Sequence, residues 1–111
     1  MLILFMRDRF MRTIVFFDLP VLYSADRKNY RKFKKYLIKE GFIMLQNSVY
    51  SKLCLNSQQA DLLIQRIKKN SPKKGIIQVL KLTENQYSQI EYIIGNSNIK
   101  VESSEDSLIV L

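Results

Sequence analysis

The run Thr13 to Phe17, TIVFF, is apolar without a break and sets β-branched and aromatic residues side by side. That pattern predicts a central strand covered on at least one face. Beyond Asp18-Leu19-Pro20 the spacing changes. Tyr30, Phe33 and Leu37 recur at helical intervals, Ser24 offers an N-cap, Asp26 puts negative charge in the first turn, and Gly41 ends the run. A first helix is expected there. Phe42 to Leu45 and Ser48 to Leu55 follow as two strand-like stretches divided by Gln46-Asn47, which predicts either a hairpin or one bent, bulged pair.

Asn56 with Gln59 has the spacing of a capping box, and Ala60, Leu63, Ile64 and Ile67 mark an i, i+3, i+4, i+7 stripe for a second helix ending near Asn70. Ser71 to Gly75, SPKKG, is turn chemistry, and Ile76 to Leu82 reads as a further strand. Thr83 with Gln86 opens a shorter helix in which Tyr87, Ile90 and Ile94 share a face before Gly95. Residues 96–107 are polar and acidic, and Leu108-Ile109-Val110-Leu111 reads as a short terminal strand.

The first six elements spell an α+β, ferredoxin-like βαββαβ sandwich, with two helices on one face of the sheet and an extra C-terminal helix and strand. One domain is expected over residues 11–111, with 1–10 as an N-terminal extension. An apolar strand at the end of a polar connection needs a sheet edge, its own or that of a two-fold partner.

Charge sharpens the picture. The 111 residues carry a formal +8 with a pI near 9.7. Of the 18 Lys and Arg, 17 precede residue 82, where only Asp8, Asp18, Asp26, Glu40 and Asp61 oppose them. A basic body with an acidic tail points to a polyanionic partner, nucleic acid ahead of a membrane because the apolar residues are committed to a core. Ordinary solubility charge is the plain alternative.

The absence of histidine excludes Ser-His and Cys-His nucleophile systems and imidazole acid/base chemistry. Cys54 is the only cysteine, so no internal disulfide forms and a cytoplasmic setting is expected. The apolar start MLILF is too short for a bilayer span.

Catalysis, if present, falls to carboxylates, a metal, Lys or Tyr. Asp18 is the leading candidate as catalytic residue and metal ligand, because a carboxylate directly after the first strand lies at the sheet rim, where metals and ligands are held. Starting a turn before Leu19-Pro20 is its competing use. One carboxylate serves a divalent ion, with Mg2+ the expected one, when substrate phosphates complete the shell or a two-fold partner brings a second Asp18.

The first helix carries Arg27, Lys28, Arg31, Lys32, Lys34, Lys35 and Lys39 on the side away from Tyr30, Phe33 and Leu37, with no glutamate before Glu40. Such like charges repel, and a phosphate backbone relieves the repulsion. The face predicts duplex binding without sequence preference, against the alternative of a solvated surface. Lys73 and Lys74, with Lys68 and Lys69, form a smaller cluster, open to nucleic acid or to helix C-terminal duty.

Four segments in order, FFDLP (Phe16 to Pro20), DRKNYRKFKKYLIKEGF (Asp26 to Phe42), QNSVYSKL (Gln46 to Leu53) and NSPKKG (Asn70 to Gly75), resemble the small CRISPR-associated adaptation proteins that partner the integrase in spacer acquisition. The likeness spans Met11 to Leu111 and is greatest to the branch found with type II systems. It implies a ferredoxin-like homodimer in which the C-terminal strand of one subunit pairs with the other's sheet. It also implies Asp18 as the divalent-metal ligand of a phosphodiesterase acting on RNA or DNA, and a role as a DNA-binding bridge between integrase dimers. A free-standing toxin-like endoribonuclease and a non-enzymatic RNA-binding regulator stay open as alternatives.

Overall fold

β1 (Met11–Asp18), α1 (Ser24–Lys39), β2 (Ile43–Gln46), β3 (Val49–Cys54), α2 (Ser57–Lys69), β4 (Ile76–Thr83) and α3 (Glu84–Tyr87) follow one another in a computed structural model that describes residues 9–96. The predicted terminal strand, Leu108 to Leu111, and most of the expected N-terminal extension lie outside the described residues. Every strand pair is antiparallel, and the order β2-β3-β1-β4 puts β1 in the interior between two ladders. This is the expected ferredoxin-like α+β arrangement.

The two-residue period of a strand sorts β1 into two faces. Thr13, Val15 and Phe17 are buried, and Val15 and Phe17 join Phe33 and Leu37 of α1 and Ala60, Leu63 and Ile67 of α2 in one core. Phe17 meets Phe33 edge-on at 5.2 Å between centroids, and Tyr50 of β3 lies on its other side at 5.7 Å. Edge-to-face rings of this kind add about 0.5–1.5 kcal/mol beyond area burial. Cys54 is buried beside Thr13 and joins this core, as expected of a small apolar residue.

Helix ends follow local chemistry, with two departures from expectation. α1 begins after Tyr23, not Ser24, because the Asp26 carboxylate reaches back to accept the Tyr23 N–H at 3.3 Å and so caps one residue earlier. Its other end is a Schellman closure: Gly41 at φ +100 lets its own N–H donate to the Ile38 carbonyl and that of Phe42 to Leu37, while Phe42 and Leu37 pack in the core. Asn56 caps α2 by accepting the Gln59 N–H at 2.8 Å, and the Gln59 side chain accepts the Leu55 N–H. Between β2 and β3 lies a hairpin with a bulge at Met44/Gln46 and Ser48 in the left-handed region at φ +67.

The second departure is α3. Thr83 and Gln86 form the predicted capping box, but the helix stops at Tyr87, and Ile90 and Ile94 are exposed. Gln89 and Ile90 donate three residues back, to Gln86 and Tyr87, and the tighter turns end the element. α3 is instead tied to the start of β1. Arg12 donates two hydrogen bonds to the Glu84 carboxylate at 2.8 and 2.6 Å and lies 4.4 Å from the centre of the Tyr87 ring.

Candidate nucleic-acid interface

Asp18 ends β1 opposite Ile76 of β4, with an exposed side chain. Since Phe17 points into the helix-covered core, alternation sends Asp18 to the other face of the sheet, with Phe16 and Ile14. The cations of α1 lie beyond the helix layer. The carboxylate and the basic face thus occupy opposite sides of the sheet, sharing only its rim, and do not form one pocket.

Three contacts fix that rim. Gly75, at φ +96, sits so close to β1 that a Cβ there would stand 2.7 Å from the Asp18 carbonyl oxygen and 2.8 Å from Leu19 Cδ2. Lys74 Nζ lies 3.5 Å from the buried carboxylate of Asp26. Arg27 Nη1 donates to the Val21 and Leu22 carbonyls at 3.0 and 2.9 Å. SPKKG is therefore a wedge seated on the Asp18–Leu19 backbone, a role that the turn chemistry in the sequence did not reveal.

The predicted basic residues divide accordingly. Lys28, Arg31, Lys32, Lys35 and Lys39 are exposed and carry no ion pair among the described residues. Their spacing makes a continuous stripe on the outer side of α1, about 16 Å from Lys28 to Lys39 at about 1.5 Å per residue. Lys34 is half-buried with its ammonium 5.4 Å from the centre of the Tyr30 ring. Arg27 and Lys74 are engaged as described, while Lys73 is exposed.

At the far end of α1, Glu40 accepts from the Tyr36 hydroxyl and from Arg66 of α2, both at 2.8 Å, and its backbone carbonyl accepts from Lys52. The Arg66 hydrogen bond holds the Glu40 carboxyl below the ordinary 4.5. Burial, then Glu40, pushes the Tyr36 hydroxyl up to about 12. The network locks α1 to α2 and β3, which sets the orientation of the stripe.

Among the described residues no group of three His, Cys, Asp or Glu side chains stands together. An exposed carboxylate such as Asp18 fits the mode in which Mg2+ keeps most of its waters and takes one or two carboxylates plus substrate phosphates. The described residues thus offer an opening ligand, not a cage. No described helix is long and apolar enough to cross a membrane.

An antiparallel β2-β3-β1-β4 sheet under two helices, with a rim carboxylate on one face and a cation stripe over the other, defines a basic ferredoxin-like α+β domain. Residues 11–90 match the model of the family described as CRISPR associated protein Cas2. The chain is 52% identical over 101 residues to the CRISPR-associated endoribonuclease Cas2 of Treponema denticola, covering 91% of this chain and 100% of that one. It is 46% identical to the proteins of the same description from Ligilactobacillus salivarius and Streptococcus mutans, over 91% of its length and 100% and 93% of theirs. It belongs to the Cas2 family. A solved structure titled "Crystal structure of cas2" shares the fold at a TM-score of 0.54 and 20% identity, over 78% of this chain and 88% of that one.

Proposed function

We propose that the chain serves CRISPR adaptation in the cytoplasm as a homodimeric nucleic-acid-binding subunit that lays duplex DNA along α1 and bridges copies of the integrase. The observation that carries this reading is the stripe of exposed cations from Lys28 to Lys39 without acid partners among the described residues. Each phosphate neutralised adds about 0.9 to the salt slope of duplex binding. Dimerisation is supported by the sheet face turned away from α1 and α2, where Phe16, Ile43, Leu53, Ile76 and Leu80 are exposed.

Asp18 lies on that same face, so two protomers joined there bring their carboxylates toward one seam. In this reading Asp18 holds a divalent ion, Mg2+ first, for phosphodiester cleavage. Such an ion supplies charge neutralisation at phosphate and a more acidic water. The chain's own part is to present the carboxylate at a rim held by Gly75 and Arg27.

The relatives' description as endoribonucleases favours RNA as a second substrate for the same site. Duplex DNA binding and cleavage of single-stranded RNA and duplex DNA, each with and without EDTA, test the proposal together. Asp18→Ala is expected to bind duplex like wild type and to lose cleavage. Loss of both in that variant refutes the division of roles.

A further inference from the structure

Where the last turn of α2 passes the stretch Asn29 to Phe33 of α1, a cleft of about 180 Å3 opens between the two helices. Phe33, which is buried, and Pro72 supply its apolar lining. Asn29 and Lys32 border it from α1, and Lys69, Asn70 and Ser71 border it from the end of α2 and the turn beyond. Its lining includes no carboxylate among the described residues. Lys32 thus belongs both to the stripe and to the cleft.

The polar groups of the cleft divide by what they already bind. Asn70 Nδ2 and Ser71 Oγ donate back to the Arg66 and Ile67 carbonyls, at 2.8 and 2.6 Å, and so cover the negative end of α2. The Asn29 side-chain amide and the ammoniums of Lys32 and Lys69 have no partner among the described residues. Donors without acceptors select an anion, and an apolar lining strengthens the attraction by lowering the local dielectric. Small-molecule sites commonly enclose about 300–1,000 Å3, so this cleft suits one compact group and not a whole ligand. A backbone phosphate is such a group.

We propose that Asn29, Lys32 and Lys69 seat one phosphate of the bound duplex in this cleft, so that the nucleic acid crosses from α1 onto α2. The inference rests on the nucleic-acid reading above and deepens it, adding a second helix to the binding surface. A carboxylate of a neighbouring protein is the competing occupant.

Fluorescence anisotropy of the full chain with a blunt duplex, across a salt series, compares wild type with Lys32→Gln, Lys69→Gln and the double variant. Each single substitution should weaken binding by about two- to fivefold. Because both lysines serve one phosphate, the double variant should lower the salt slope by about 0.9, against roughly 1.8 for two separate phosphates. Asn29→Asp keeps the size of the side chain but sets a carboxylate in the seat, and should weaken duplex binding about tenfold or more. Gln58→Glu makes the same change of charge about 16 Å away, at the other end of α2, and should stay within about threefold. The NMR signal of the Asn29 side-chain amide should move when duplex is added to wild type and stay in place in the double variant.

A slope loss near 1.8 in the double variant, or equal weakening by Asn29→Asp and Gln58→Glu, overturns this inference alone while the wild type binds duplex. So does a duplex affinity indifferent to Lys69→Gln, the result expected of a cleft that takes a protein carboxylate. Failure of the wild type to bind duplex removes the nucleic-acid reading itself.

Discussion

Gly75→Ala tests how firmly the SPKKG wedge sets the end of β1. A residue with a Cβ at φ +96 pays about 1–2 kcal/mol for the left-handed region. The added carbon would also press to 2.7 Å from the Asp18 carbonyl and 2.8 Å from Leu19, and because backbone must yield, overpacking costs about 1–3 kcal/mol more. The total is about 2–5 kcal/mol. Gly41→Ala is the internal control: at φ +100 it meets only the flexible Lys52 side chain, at 3.4 Å, and carries the conformational cost alone. Urea unfolding at fixed protein concentration measures both. With an m-value of about 2 kcal/mol/M, the midpoint should fall by about 1–2.5 M for Gly75→Ala and about 0.5–1 M for Gly41→Ala. Equal midpoints for the two variants would falsify the claim that this loop bears on Asp18.

Replacing Lys28, Lys35 and Lys39 by alanine together should lower the duplex salt slope by about 2.7, whereas Arg27→Ala should loosen the loop, read as faster amide exchange at residues 21–23, and lower the slope by less than about 0.9. Stability should have an acid limb from Glu40. Its folded carboxyl lies below 4.5, so this contribution is full above that pH and is lost as pH falls through the folded value. Tyr36 gives an alkaline limb, because a hydroxyl raised from 10.0 to about 12 contributes fully below pH 10 and is lost between those values. Thermal melts across pH check both limbs, and an acid limb unaltered in Glu40→Gln refutes its assignment. Arg66→Ala should cost about 1 kcal/mol, near the upper range for ion pairs at the surface, since its partner Glu40 is mostly shielded.

Much of the fold is legible because its signals are local. The stripe Ala60, Leu63, Ile64, Ile67 needs only helical spacing, and the close at Gly41 only a residue free to take positive φ. The face of Asp18 was not legible. TIVFF is apolar at both parities, so only the meeting of Phe17 with Phe33, sixteen positions away, decides which side is covered. Arg27 and Lys74 read as free cations in a basic tract, yet their partners are loop carbonyls and a carboxylate 48 residues distant. The expected extension of α3 failed for a related reason: Ile90 and Ile94 have helical spacing, but spacing alone supplies no surface to cover them.

The placement of β1 between two ladders also sets an order of opening. Its amides are paired with β3 on one side and β4 on the other, while β2 is a four-residue margin held from one side only. Isotope exchange should therefore reach Ile43 to Gln46 through brief local fraying and reach Val15 only when the whole sheet parts. The body of the strand that leads to Asp18 is thus among the last to come undone, while Asp18 itself, paired with Ile76 alone, sits at the end of the double ladder.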